Sequence, residues 1–358
     1  MKVGIIGLPN VGKSTLFNTI TKLQALEANY PFATIEPNKG TVLVPDQRLD
    51  YLAKVFSSKK KIEAQIQFID IAGLVQNASK GEGLGNKFLG HIRDVDAICH
   101  VVKCFDNPNI IHLMNKIDPT KDSDIIETEL ILSDIEQIDR RLNKIKQQQN
   151  KNKKKETENE LQMLTKLKQH LENEKPLSEF NFNLEEKKII KNFNLLSLKP
   201  MIYIGNFEEK DLKNLQYNIF FQQMNLYSFR KNRPFLPTCI LLEKQKTNYD
   251  VPMKNHQSES LKKIIQQSYK MLNLKTYFTV GEKEAHAWTF IDGMKTPECA
   301  GLIHTDFQHG FIKAKIFNYE DLIKYENLNK LKEKGKIRLE SKNYLVKDGD
   351  IITFYFNV

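Results

Sequence analysis

Gly7-Leu8-Pro9-Asn10-Val11-Gly12-Lys13-Ser14-Thr15 satisfies the pattern G-x-x-x-x-G-K-[ST] at every fixed position. Its flanks supply the context that the pattern requires. Upstream, Val3-Gly4-Ile5-Ile6 is a short apolar run that predicts a buried strand. Downstream, Leu16, Ile20 and Leu23 recur at helical spacing and predict a helix with one apolar face. Strand, glycine loop and helix in this order form a phosphate cradle, because glycines let backbone N–H groups converge and the helix N-terminus adds positive potential. The cradle residues are Asn10, Val11, Gly12, Lys13, Ser14 and Thr15. Lys13 is placed to reach the outer phosphates, and the Ser14 hydroxyl to ligate Mg²⁺.

The rest of the chain bounds this reading. Its 358 residues are enough for two or three domains with real cores. The net charge of +10 has two explanations, contact with nucleic-acid phosphates or an abundance of Lys, Asn and Ile from AT-rich codons. Only local clustering of charge can separate them. Cys99, Cys104, Cys239 and Cys299 form no C-x-x-C pair, which points to a reducing compartment and away from a disulfide or zinc framework. A phosphate loop starting at Gly7 leaves no room for a signal peptide, and no apolar run approaches the ~20 residues of a membrane span. The expectation is a cytoplasmic protein with no membrane contact.

Further motifs follow at nucleotide-switch spacing. Tyr30–Pro37 carries two prolines and predicts an irregular loop, in which Thr34 is the candidate second Mg²⁺ ligand. Ile66–Asp70 predicts a strand ending in a carboxylate, and Asp70-Ile71-Ala72-Gly73 fits D-x-x-G. Asp70 can hold Mg²⁺ through water, and the Gly73 N–H can sense the terminal phosphate. Leu74 follows where many GTPases carry a glutamine, so the group that orients water lies elsewhere. Gly81–Gly85 predicts a hinge into a helix over Asn86–Asp94, and Asp96–Cys104 an apolar strand.

Asn115-Lys116-Ile117-Asp118 is a literal N-K-x-D, the guanine-reading tetrapeptide. Only ten residues separate Cys104 from Asn115, too few for the crossover to a further parallel strand, so we read it as chance. The better base-reading position is Asn206-Phe207-Glu208-Glu209, after a strand over Pro200–Gly205. This N-x-x-E keeps an asparagine for the base edge, puts apolar Phe207 where a lysine would pack, and replaces Asp by the longer Glu209. Guanine specificity should be lost, which opens the position to adenine.

Between these motifs, Ile131, Ile135, Ile138, Leu142 and Ile145, and later Leu161, Leu164, Leu167 and Leu171, alternate in steps of three and four, a coiled-coil seam. The prediction is an antiparallel helical hairpin, about 122–175, whose tip (Lys144–Lys155) carries six lysines and no acid. Such a tip suits an RNA backbone; a solvated loop is the other reading. Helices are predicted over Glu185–Asn194 and Ser260–Leu274, and a last strand around Leu236–Ile240. From Thr276 the pattern turns to short strands: Tyr277–Val280, Ala287–Phe290, Phe311–Ile316, Tyr344–Val346 and Ile351–Phe356. One helix, Tyr319–Lys334, and a tight turn at Asp348-Gly349-Asp350 complete a ubiquitin-like α+β domain. His304, Asp306 and His309 are too few for a structural metal cluster.

In motif order the chain resembles the Obg-like ATPases of the YchF type, from Val3 to Val358. The resemblance rests on residues 7–15, on Asp-Ile-Ala-Gly-Leu-Val (70–75), on Lys-Gly-Glu-Gly-Leu-Gly-Asn-Lys-Phe-Leu (80–89), on Ile-His-Thr-Asp-Phe (303–307) and on Lys-Asp-Gly-Asp (347–350). It implies an α/β P-loop NTPase domain with a mostly parallel sheet over 1–275, and a C-terminal TGS domain over 276–358. It implies a preference for ATP, its hydrolysis to ADP and phosphate as a switch, and ribosome and rRNA binding (50S or 70S) in translation or stress regulation. It implies no DNA contact. By matching positions, His112 acts in hydrolysis, Asn10 coordinates a K⁺ that stands in for an arginine finger, and Phe207 contacts adenine. The chain departs from the pattern at Thr238–Lys246, where the loop over the base is more charged. Turnover should be slow without an arginine finger in cis. The rivals are a GTPase of the same fold using Asn115–Asp118, and an RNA- or protein-binding module in which nucleotide is only regulatory.

Overall fold

The computed structural model describes residues 1–25, 38–71, 83–107, 116–149, 155–190, 193–248 and 258–357. In chain order the elements begin with β1 (Lys2–Ile6), α1 (Lys13–Ala25), β2 (Lys39–Leu43), α2 (Gln47–Val55), β3 (Lys60–Ile62), β4 (Gln65–Asp70), α3 (Gly83–Arg93) and β5 (Ala97–Lys103). Next are α4 (Pro119–Gln149), α5 (Lys155–Glu172), α6 (Leu184–Ile190), β6 (Met201–Asn206), α7 (Glu209–Leu212), α8 (Ile219–Arg230), β7 (Phe235–Thr238), α9 (Ile240–Asn248) and α10 (Glu259–Met271). The C-terminal elements are β8 (Leu274–Val280), β9 (Glu284–Ile291), α11 (Thr296–Ile303), α12 (Thr305–His309), β10 (Phe311–Asn318), α13 (Tyr319–Tyr325), α14 (Leu328–Glu333), β11 (Arg338–Glu340) and β12 (Asp350–Phe356).

The chain divides into two compact units, Met1–Gly40 with Gln67–Ile264, and Thr41–Ile66 with Ile265–Val358. The first holds a sheet of order β2-β4-β1-β5-β6-β7. Its pairings β1–β4, β1–β5, β5–β6 and β6–β7 are all parallel. β5 and β6 are buried at every position, which is why they read as unbroken apolar runs rather than alternating ones. Register aligns the carboxyl ends of the strands: Ile5 pairs with Asp70, Ile6 with His100, Lys103 with Asn206, and Asn206 with Thr238. Ligands of open α/β sheets bind at that edge.

The predicted hairpin is α4 and α5, with α4 starting earlier than the seam, at Pro119. Ile138, Leu142, Ile145, Leu164, Leu167 and Leu171 share its core with Ile131 and Met163. Each such buried aliphatic side chain contributes roughly 1.5–3 kcal/mol. Ion pairs between the helices fix their register: Arg141 with Glu160 at 2.7 Å and Lys168 with Asp139 at 2.7 Å. Lys144 and Lys146 are exposed; the rest of the basic tip through Lys154 lies outside the described residues.

The second unit is a sheet of order β11-β10-β12-β8-β9-β3. β12 runs parallel to β8, whereas β8–β9, β10–β12 and β10–β11 are antiparallel. Tyr277, Phe290, Ala314, Ile316 and Ile352 form its core. Three expectations change. Tyr344–Val346 is not a strand but a single bridge, Leu345 with Lys295, and the edge is instead β11. The single helix over Tyr319–Lys334 is two, because Glu326 takes a left-handed conformation and Asn327 caps a new start. α11 and α12 are two further helices in a domain expected to hold one.

By its contacts Thr41–Ile66 groups with this unit, although its ends lie in β2 and β4 of the first sheet, so the chain divides differently from a cut at 275. β3 pairs in parallel with β9. Asp46 caps α2, and Arg48 reaches Asp348 at 2.7 Å while its guanidinium lies 5.2 Å from the Phe278 ring centre. Asp348 also accepts the Thr276 N–H at 2.8 Å. The predicted turn at Gly349 has φ 81°, which suits glycine.

Candidate nucleotide site

The loop between β1 and α1 has the backbone that its glycines allow. Gly7 has φ 154° and Gly12 φ 104°. A Cβ on Gly7 would lie 2.4 Å from the Val101 carbonyl oxygen; on Gly12 it would meet the Asn206 amide at 3.0 Å and Ile240 at 3.2 Å. Asn10 takes the left-handed turn at φ 62° and is exposed. The loop delivers the chain into α1, where Ser14 is exposed on the first turn while Leu16 and Ile20 bury the opposite face. Thr15 is half-buried, and its carbonyl accepts the Thr19 hydroxyl at 2.7 Å.

Lys13 is buried, and its ammonium donates to the Leu8 carbonyl at 2.8 Å. Burial lowers its pKa, and the neighbouring charge of Asp70 opposes that shift. An ammonium held over a glycine loop opposite a carboxylate is the charge pattern of a magnesium–phosphate site. Asp70 supplies the second half of the fit: its Oδ1 is buried and has no hydrogen-bond partner among the described residues. A buried carboxylate oxygen left unmet is costly unless a cation or its water meets it. Thr34, Gly73, Leu74 and His112 lie outside the described residues.

At the far end of the site the structure redraws the base-reading group. Asn206, 8% exposed, donates from Nδ2 to the Val11 carbonyl at 3.0 Å, and its Oδ1 accepts the Ile240 N–H at 3.1 Å. Its amide braces the phosphate loop against the start of α9. Phe207, expected against adenine, is a core side chain instead. It is 1% exposed, its ring packs 6.4 Å from both Phe221 and Phe235, and its N–H donates to Thr238 at 2.8 Å. Glu209 is exposed at the start of α7, near Cys239. The charged stretch after Thr238 is helix α9 rather than a loop.

Asp118 of the N-K-I-D tetrapeptide caps a helix. Its Oδ1 accepts the Thr120 hydroxyl at 2.8 Å and the Lys121 N–H at 3.2 Å, ahead of Pro119 in the first turn of α4. No strand lies between β5 and this cap among the described residues. His304 likewise caps α12, its Nδ1 accepting the Asp306 N–H at 3.2 Å, and no metal-binding cluster occurs among the described residues.

Beneath the site is a buried polar group that the sequence reading missed. Glu127 of α4 accepts Arg233 at 2.8 Å, Lys231 at 3.3 Å and the Tyr203 hydroxyl. Burial alone would raise its carboxyl, but these donors hold it below the usual carboxylate range. His100, fully buried on β5 with its ring 5.6 Å from Tyr203, has an Nδ1 without a hydrogen-bond partner among the described residues. Burial pushes its pKa down to about 4; Glu127 opposes the shift, while Arg233 and Lys13 add to it. The only sequence signal was a histidine inside an apolar strand.

Known proteins with this arrangement are numerous. The family model described as 50S ribosome-binding GTPase matches residues 2–176, and the model for the C-terminal domain of YchF GTPases, described as of unknown function, matches 274–357. The chain is 46% identical to the Bacillus subtilis protein named ribosome-binding ATPase YchF, over all of both chains. It is 44% identical to the Mycoplasma genitalium protein of that name, again over all of both. Among solved structures, the Schizosaccharomyces pombe YchF GTPase superposes with a TM-score of 0.88 at 36% identity, covering 99% of this chain and 97% of that one. A Pyrococcus horikoshii GTP-binding protein, at 17% identity and a TM-score of 0.62 over both whole chains, shares the fold.

Proposed function

The chain belongs to the YchF family of ribosome-binding ATPases, and we propose that it binds and hydrolyses ATP with Mg²⁺ as a switch on the ribosome. The observation that carries this reading is an Asp70 oxygen at the carboxyl end of β4 that is buried and unmet among the described residues, within electrostatic reach of the buried Lys13 ammonium. Lys13 leaves the Leu8 carbonyl for the outer phosphates, and N–H groups from Asn10 to Thr15 surround them. Ser14 and Asp70 hold Mg²⁺ together with Thr34; bound there, the ion neutralises charge on the terminal phosphates. Gly73 couples the terminal phosphate to the segment after β4, and His112 positions water. Asn10, exposed at the turn of the loop, is the residue for an activating K⁺.

Adenine rather than guanine is supported by two placements. Asp118 of the literal guanine motif caps α4, and the third position after Asn206 offers Glu209 in place of Asp. The ribosome is the partner, with rRNA phosphates meeting the lysine-rich hairpin tip. A cytoplasmic site follows from that partner. No described helix is long and apolar enough to cross a membrane.

Steady-state phosphate release from ATP, with and without purified 70S ribosomes, tests the reading. Wild type should release phosphate and co-sediment with ribosomes, and Lys13→Ala should lose at least about a hundredfold in rate, near 2.7 kcal/mol. Equal rates in the two proteins would remove the phosphate loop from the chemistry.

A further inference from the structure

The net charge of the chain is concentrated in two places. The hairpin tip, Lys144–Lys155, contributes +6. Between Leu328 and Lys347, seven basic and two acidic residues contribute +5. Together these stretches exceed the net charge of +10, so basic and acidic residues balance to within one charge over the rest of the chain. AT-rich codons add lysine without regard to place and would spread the excess. The clustering therefore speaks for an anionic partner at each place.

The second cluster lies on α14 and β11, at one end of the C-terminal sheet, where β11 is the outermost strand. Leu331 is fully buried and anchors α14, and Asn327 caps the helix by accepting the Asn329 N–H at 2.7 Å. The neighbours of Leu331 turn outward, so Lys330, Lys332 and Lys334 are exposed. Gly335, at φ 64°, turns the chain toward β11, where Arg338 is exposed, as is Lys342 beyond the strand. Of the seven basic residues only Lys336 and Arg338 have acidic partners among the described residues, Asp321 at 3.3 Å and Glu340 at 3.4 Å. Lysine on an edge strand also blocks the addition of a further strand. Lys330, Lys332 and Lys334 belong to α14 and its cap, where that purpose does not apply.

The adjoining sheet face continues the pattern. Leu339 pairs with Lys315, Lys315 with Thr353 and Lys313 with Tyr355, so these side chains share one face. The Lys313 ammonium is 5.5 Å from the Tyr355 ring centre, and Tyr355 and Leu339 are 40% and 64% exposed. Carboxylates are best met by the arginine fork, whereas lysine ammoniums are point charges that suit phosphate oxygens. Six of the seven basic residues between Leu328 and Lys347 are lysines. Lysines around a half-exposed tyrosine on an open sheet face are the combination that holds RNA, with cations on its phosphates and a ring for a base.

We propose that the α14–β11 edge grips the phosphate backbone of ribosomal RNA, as a contact separate from the hairpin tip. The inference rests on the ribosome binding proposed above. It is tested with the full chain carrying Lys330→Gln, Lys332→Gln and Lys334→Gln together. The control carries Lys187→Gln, Lys188→Gln and Lys213→Gln, three exposed lysines outside the cluster. Co-sedimentation with purified 70S ribosomes is measured over a series of KCl concentrations, and ATP affinity checks that both variants fold. Each phosphate contact adds about 0.7–0.9 to the slope of log affinity against log salt. The α14 variant should bind about tenfold more weakly at low salt, with a slope shallower by about two, at unchanged ATP affinity. The control should match wild type. In a second measurement p-azidophenylalanine replaces the exposed Asn329, and irradiation with 70S ribosomes should cross-link it to rRNA. An unchanged slope, an equal loss in the control, or a cross-link to ribosomal protein alone overturns the proposal. Wild type that sediments with no ribosome removes the reading on which the inference rests. Wild type that sediments normally beside an indifferent α14 variant removes this contact alone.

Discussion

The side-chain amide of Asn206 donates to the carbonyl oxygen of Val11 over 3.0 Å, joining segments 195 residues apart in sequence. The same amide accepts the Ile240 N–H, so one residue ties the phosphate loop, β6 and α9 together. Replacing it by alanine orphans a buried carbonyl and a buried N–H. Asn206→Ala should cost about 1–3 kcal/mol of stability and lower the melting temperature of the nucleotide-free protein. ATP and GTP affinities should fall together, because the loop itself loosens. If the melting temperature holds and only the ATP-to-GTP ratio moves, Asn206 reads the base instead of bracing the loop.

Asp70 makes a second, separable prediction. Its buried Oδ1 has no partner among the described residues, so its role appears when a cation is present. Asp70→Asn should weaken ATP binding about tenfold in Mg²⁺. In EDTA the variant and wild type should bind ATP alike. Loss of equal size in both buffers would mean that Asp70 shapes the loop rather than the cation site.

The buried histidine sets a pH dependence. His100 titrates near 4 in the folded protein against 6.5 when free, so the unfolded chain binds more protons between those values. Stability is therefore full above about pH 6.5 and declines as pH falls toward 4. At pH 5 the loss should be roughly 2 kcal/mol, read from urea unfolding at pH 5 and pH 8. His100→Gln should flatten that part of the profile. Glu127, held below its usual range, adds a decline only at lower pH. A wild-type curve that is flat from pH 8 to pH 5 would contradict the burial of a neutral imidazole.

Much of this was legible in the sequence because it is local. The β1–loop–α1 unit is fixed by glycine conformation and apolar period, and the hairpin by a seam whose residues form its core, Ile135 and Leu161 only in part. What was illegible depends on distance. Phe207 sits at a position that suggests base contact, and only the packing of Phe221 and Phe235 around it shows a core residue. Arg48 gives no sign that it belongs with Asp348, 300 residues on. The break at Glu326 is a left-handed residue without glycine, which no pattern announces. The Glu127 network draws on α4, β6 and the turn between α8 and β7, so no single stretch contains its signal.

The central claim is that this P-loop serves ATP although the chain contains a literal guanine motif. Titration of nucleotide-free protein with ATP and with GTP, each with Mg²⁺, tests it most directly. ATP should bind at least tenfold tighter, a difference of about 1.4 kcal/mol. GTP binding tighter by that margin would contradict the account and return Asn115–Asp118 to consideration as the base-reading site.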